Sequence, residues 1–144
     1  MSVAQLQTAL AAVPYFAHLG IRAEEARPGQ VVLRLPHRDE VTNHAGALHS
    51  SAVFAVAELC AAVALGTHPS LTDLMHLQKS AKIKYYLPSS RDVTAHATIT
   101  EEMLQAIRDG LGVANAHVEV PVKVFDGHGE DVAELVAHFA FRQR

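Results

Sequence analysis

The strongest constraint on this chain is the run from Ser51 to Leu65, SAVFAVAELCAAVAL, which is apolar on every side of a helix except at Glu58. A surface helix keeps a polar face, whereas one that is apolar all round is enclosed by protein or lipid. At 1.5 Å per residue the run reaches about 23 Å, short of the roughly 20 residues that cross a bilayer. The expectation is a buried central helix carrying one carboxylate. Desolvating a lone charge is costly, so Glu58 is a candidate functional group.

What surrounds that helix reads mostly as strands. Ser2 caps an expected short helix to Val13, which Pro14 ends. Ile21 to Ala26 and Val31 to Pro36 flank an Arg27-Pro28-Gly29-Gln30 turn and read as a hairpin, with Val31, Leu33 and Leu35 on its buried face. His37 to Asn43 is a polar loop. Ser50 and Ser51 supply a start signal for the central helix, and Gly66 and Pro69 its stop. Between His76 and Leu87 the strand period of two puts Leu77, Ala81, Ile83, Tyr85 and Leu87 on one face and His76, Gln78, Ser80, Lys82 and Lys84 on the other. Val93 to Thr100 alternates again. Glu101 to Leu111 is ambiguous between strand end, helical turn and loop. From Gly112 to Phe125, Ala114, Ala116, Val118, Val120, Val122 and Val124 share a face, and Pro121 suggests an edge or bulge. Asp126-Gly127-His128-Gly129 signals a hairpin into a last strand facing inward with Ala133, Leu135, Ala137, Phe139 and Phe141. One buried helix and five or six antiparallel strands make an α+β domain over residues 1–144, with the sheet curled around the helix.

Composition narrows the function classes. With 144 residues, nearly half of them hydrophobic, one packed domain is expected. A net charge of −3 argues against a nucleic-acid binder, and the single Cys60 fits a reducing compartment. The N-terminal twenty residues lack a basic leader and are broken by Pro14, so the expectation is a cytoplasmic protein with no membrane partner. His44 and His49, the nearest histidine pair around the helix start, are five apart. That suits neither helix nor strand, and no metal or cofactor is expected.

The chemistry concentrates between Asn43 and Glu58. First-turn amides of a helix beginning at Ser50 or Ser51 lack intrahelical acceptors and, with the helix dipole, suit a developing oxyanion. Glu58 lies about 11 Å further along in rise, with its side chain leaning back toward the helix start. An electrophile holder and a base or nucleophile are the requirements of acyl transfer.

The pattern Asn43-x-x-Gly46-x-x-His49-Ser50-Ser51, then Phe54 and Ala57-Glu58, resembles the signature of PaaI-type hotdog thioesterases, roughly N-x-x-G-x-x-H-G-G with an acid fifteen residues after the Asn. The later KIKYYLPSS, with Tyr86 and Leu87-Pro88, is similar to that family's strand after the helix. The resemblance implies a hotdog fold, a homodimer or dimer of dimers, and hydrolysis of an acyl-coenzyme A thioester. It implies Glu58 as general base or nucleophile and the Ser50 backbone N–H as the group polarising the carbonyl. Asn43 and His49 would orient water, substrate or loop. Gly46, Ser51, Gln78, Ser80 and Lys82 are the candidate substrate-binding residues, and Lys79, Lys84 and Arg91 are weaker candidates for coenzyme A phosphates. The acyl chain is expected between helix and sheet. Two departures are the Ser50-Ser51 pair in place of Gly-Gly and Glu58 in place of the commoner Asp.

Two other readings share the fold. A dehydratase or hydratase would use His44 and Glu58, fourteen apart, although the Pro-Gly pair of such enzymes is missing before the helix. A non-catalytic acyl-binding module would account for the two serines.

Overall fold

A computed structural model describes residues 1–113 and 116–144. Among the described residues four α-helices and six strands follow in order: α1 Val3–Ala11, α2 Pro14–Leu19, β1 Arg22–Arg27, β2 Gln30–Leu35, α3 Ser50–Gly66, β3 Leu74–Tyr85, β4 Val93–Thr98, α4 Glu101–Leu111, β5 Ala116–Asp126 and β6 Asp131–Gln143. The strands form one antiparallel sheet in the order β1-β2-β4-β5-β6-β3. α3 packs across its inner face, against β2, β4, β5, β6 and β3. Of the expected inward residues, Ala114 lies outside the described residues; Ala116, Val118, Val120, Val122 and Val124 are buried, as are all five named on the last strand.

Small side chains explain how the helix seats. Ala57, Cys60, Ala61 and Ala64 are inaccessible or nearly so, and they bring the α3 backbone close to the strands. Cys60 Sγ donates to the carbonyls of Val31 and Ala95, 3.4 and 3.3 Å away on β2 and β4. Burial pushes this thiol up to about 12. At the far end Gly66 approaches closely, since a Cβ there would stand 3.2 Å from the His76 ring and the ring would have to give by a few tenths of an ångström. That ring meets Phe139 edge-on at 5.7 Å between centroids.

Several expectations change. Pro14 does not merely end α1, which is closed by a Ser2–Gln5 capping box at its start and Ala12 at its end; Pro14 opens α2, where its missing N–H is harmless. The ambiguous Glu101–Leu111 stretch is a helix, capped by Thr100 Oγ1 accepting from the Met103 N–H and burying Leu104 and Ile107 one turn apart. Pro121 sits on an interior strand, but β5 pairs with β4 only over Val122–Asp126, so Pro121 falls just beyond the last paired residue on that side.

β3 differs most from expectation. Its pairing with β6 shifts between Gln78 and Ser80, leaving Lys79 as the extra residue of a β-bulge. One inserted residue reverses which side the following side chains face. Leu74, His76 and Gln78 therefore face α3 together with Ala81 and Ile83, while Leu77 points outward at 62% exposure. Ser80, Lys82 and Lys84 lie on the outer face.

Candidate functional site

The helix tip is built by the loop before it. Asn43 Oδ1 accepts from the N–H groups of Ala45 and Ala47 at 2.9 and 3.2 Å, and the Asn43 N–H donates to the Ala47 carbonyl at 2.8 Å. Gly46 turns this loop at φ +78°, where a side chain would be strained although no atom lies within 4 Å of a Cβ placed there. Its carbonyl meets His37 Nε2 at 2.8 Å. The loop end is then pinned by Leu48 N–H to the Ser89 carbonyl and His49 N–H to the Val41 carbonyl, both 2.8 Å.

His49, rather than either serine, is the N-cap of α3. Its Nδ1 accepts the Ser51 N–H at 3.0 Å and lies 2.8 Å from Ser51 Oγ, so a neutral ring carries its proton on Nε2. The Ala52 and Val53 N–H groups both donate to the His49 carbonyl. Among the described residues this leaves the Ser50 N–H as the first-turn amide without an acceptor. It stands at the positive end of a 17-residue helix. The Ser50 carbonyl is in turn held by Tyr85 Oη at 3.0 Å, which ties the helix start to the end of β3. Burial raises the Tyr85 phenol above its ordinary value, and the bond to Ser50 opposes that rise.

A cleft of about 440 Å³ opens over this tip, with Asn43, His44, His49 and Ser50 on one side and Tyr85, Tyr86, Leu87 and Pro88 on the other. Tyr86 Oη donates to Glu134 at 3.2 Å, so both tyrosine hydroxyls are engaged and the rings present apolar surface to the cleft. The helix–sheet interface is packed at Val56, Ala57, Cys60 and Ala61, all with 0% exposure, and the cleft lies at the helix tip.

Glu58 is half-buried on α3, two turns beyond Ser50 and outside the walls of the cleft. Its Oε2 accepts from Gln78 Nε2 at 2.8 Å. The bulge at Lys79 allows this contact, because it sets Gln78 on the inner face along with Ala81 and Ile83. The structure thus brings together Asn43, His49, Ser50 and Ser51 at the tip, and Glu58 with Gln78 further along. Gly46 shapes the loop and does not line the cleft. Ser80 and Lys82 sit with Lys84 on the outer face, away from Glu58 of the same chain. Tyr85 is not among the site residues the sequence points to. Its position seven residues past Gln78 in the KIKYYLPSS segment was the available signal, but a phenol reaching a helix carbonyl has no sequence signature.

A family model described as "Domain of unknown function (DUF4442)" matches residues 3–140. No curated protein matches the sequence. Solved structures are similar over almost the full length. A Pseudomonas aeruginosa protein of unknown function, described as a probable thioesterase, has a TM-score of 0.90 at 23% identity, covering 100% of this chain and 97% of its own. A Haemophilus influenzae thioesterase has a TM-score of 0.78 at 16% identity, covering 99% and 92%. Zebrafish thioesterase superfamily member 2 has a TM-score of 0.74 at 15% identity, covering 97% and 98%. At such identities the likeness carries the fold, which is the hotdog arrangement of a curved antiparallel sheet around a central helix.

Proposed function

We propose that this chain, which belongs to the family described as Domain of unknown function (DUF4442), hydrolyses acyl-coenzyme A thioesters as PaaI-type hotdog thioesterases do. One observation carries the reading: among the described residues the Ser50 N–H is the first-turn donor left free, and Ser50 lines a cleft at the end of the helix that also bears Glu58. A thioester carbonyl oxygen accepts from that N–H. Glu58 Oε1, the oxygen not bonded to Gln78, takes a proton from water as the water oxygen attacks the carbonyl carbon. The helix dipole and the Ser50 N–H stabilise the oxyanion. Collapse breaks the carbon–sulfur bond and the proton passes to the departing thiolate, giving free acid and coenzyme A. In the nucleophilic variant Glu58 attacks directly and water then opens the mixed anhydride.

Asn43 and His49 build the tip, and Gln78 orients the carboxylate. β3 is an edge strand with Met75, Leu77 and Tyr85 exposed along it and Tyr86 and Leu87 exposed just after it. A second copy joined through this edge would give a homodimer, or a dimer of dimers, in which Glu58 of one copy meets the cleft of the other, across the two helical turns that separate Ser50 and Glu58 within one chain. Light scattering that returns a stable monomer contradicts the assembly.

The test of function is release of free thiol from a panel of short, branched, aryl and long-chain acyl-CoAs, with turnover expected on at least one. The position of Glu58 outside the cleft of a single chain favours one second reading, a non-catalytic acyl-binding module. It predicts acyl-CoA affinity without thiol release. Hydration of an enoyl-CoA without thiol release would instead indicate the hydratase.

A further inference from the structure

On the sheet face turned away from α3, two histidines meet across neighbouring strands. Ala116, Val118 and Val120 of β5 point toward the helix and are buried, so His117 and Glu119 between them point outward. On β6, Ala137 and Phe139 are buried and His138 alternates outward between them. Glu119 pairs with His138, and His117 with Ala140. The two rings therefore approach on the diagonal, with His117 Nδ1 and His138 Nε2 2.8 Å apart, centroids 4.9 Å apart and planes at 55°.

We propose that His117 and His138 form a two-imidazole binding site for a late first-row divalent cation of tetragonal preference, Cu(II) foremost. Two nitrogens bound side by side at right angles, each about 2.0 Å from one metal, lie about 2.8 Å from each other. The pair already holds that separation. Without metal, the contact needs one ring to donate an N–H to the other, and metal binding releases that proton to solvent. In the metal-free contact one N–H points at the other ring's lone pair, so binding requires both rings to turn about their broad outer torsions until the two lone pairs converge on the ion. Imidazole nitrogen is the ligand type that suits copper and nickel, and Cu(II) heads the divalent affinity order.

The surroundings define the kind of site. Glu119 and Ser80 flank His138 on the outer face, the carboxylate adding favourable charge. Lys79, Arg142 and His76 line the adjoining groove with His117; His76 turns inward against Phe139, and His117 and His138 are the two imidazoles in contact on the outer face. Among the described residues no group of three His, Cys, Asp or Glu closes around an ion. Water therefore fills the remaining positions and the metal exchanges. Facing away from α3, the site is separate from the helix tip and does not depend on thioester hydrolysis.

The test uses the full chain without an affinity tag, titrated with Cu(II) alone by calorimetry in a non-chelating buffer and followed by electron paramagnetic resonance. The parent should take up one tight equivalent with two imidazole nitrogens in its spectrum. Replacing a direct ligand should cost about a hundredfold in affinity, the upper end of what losing an outer-shell partner costs. That loss is expected for H117A, an exposed position whose replacement leaves the core alone, and for H138A; H128A, in the β5–β6 turn, should bind as the parent does. Parent-like binding by H117A or by H138A overturns the proposal, and so does a spectrum with fewer than two nitrogens.

Discussion

Gln78→Ala separates a positioning contact from plain packing. Gln78 Nε2 donates to Glu58 Oε2 at 2.8 Å, and both side chains are half-buried. Hydrogen bonds to charged groups contribute about 1.5–3 kcal/mol when shielded. Water reaches this pair and screens it, so the contribution falls below that range and a net loss of about 1 kcal/mol is expected. For a chain of this size that lowers the melting temperature by about 4 °C. The effect on turnover is separable. If Gln78 holds the carboxylate in its reactive orientation, losing about 1.4 kcal/mol of transition-state stabilisation slows kcat about tenfold. KM should move little, since no substrate contact is removed. The assays are a thermal melt and steady-state thiol release on the best acyl-CoA. A Q78A protein that melts lower yet keeps the parent kcat would refute the orienting role and leave Gln78 as packing. An unchanged melt would refute the energetic argument.

Other consequences follow from particular residues. His49→Ala removes the imidazole that caps α3, and a lost cap costs about 1 kcal/mol, readable as a lower melting temperature. The Cys60 thiol, buried and pushed up to about 12, should resist a maleimide in the native state and react once the chain is unfolded in urea; native labelling would contradict the packed interface. Burial, helped by the charge on Arg144, holds His76 below its ordinary 6.5. The unfolded chain therefore takes up the proton first, so the contribution to stability is complete above about pH 6.5 and is lost as pH falls from there toward the folded value. His76→Gln should show a smaller drop in melting temperature between about pH 7.5 and about pH 5.5 than the parent.

Much of the fold could be read from residue order, and what escaped did so for local reasons. An apolar run with one acid allows few placements, so α3 and the half-buried Glu58 were legible, as were the alternating valines of β5 and the inward face of β6. α4 was not, because Gly110 and Gly112 suggest a loop, although Met103, Leu104, Ile107 and Leu111 recur at helical spacing and the Thr100 cap followed by Glu101 and Glu102 was a usable signal. The bulge at Lys79 has no mark in the sequence: an unbroken alternation was extrapolated through it, which put Leu77 inside and Gln78 outside. That single extra residue is the reason Gln78 meets Glu58. At the tip, Asn43, Gly46, His49 and Ser50 were read as a group, yet their division of labour rests on which backbone amides the Asn43 and His49 side chains occupy, and spacing alone does not carry that.

The central claim is that Glu58 drives hydrolysis of a thioester held at the Ser50 amide, and Glu58→Gln tests it most directly. The substitution keeps the size and the capacity to bond Gln78 while removing the base, so the fold and melting temperature should stay close to the parent. On the best acyl-CoA, kcat for thiol release should fall about 10²–10⁴-fold, the range expected for loss of a positioned general base. A folded E58Q protein that releases thiol at the parent rate would contradict the account.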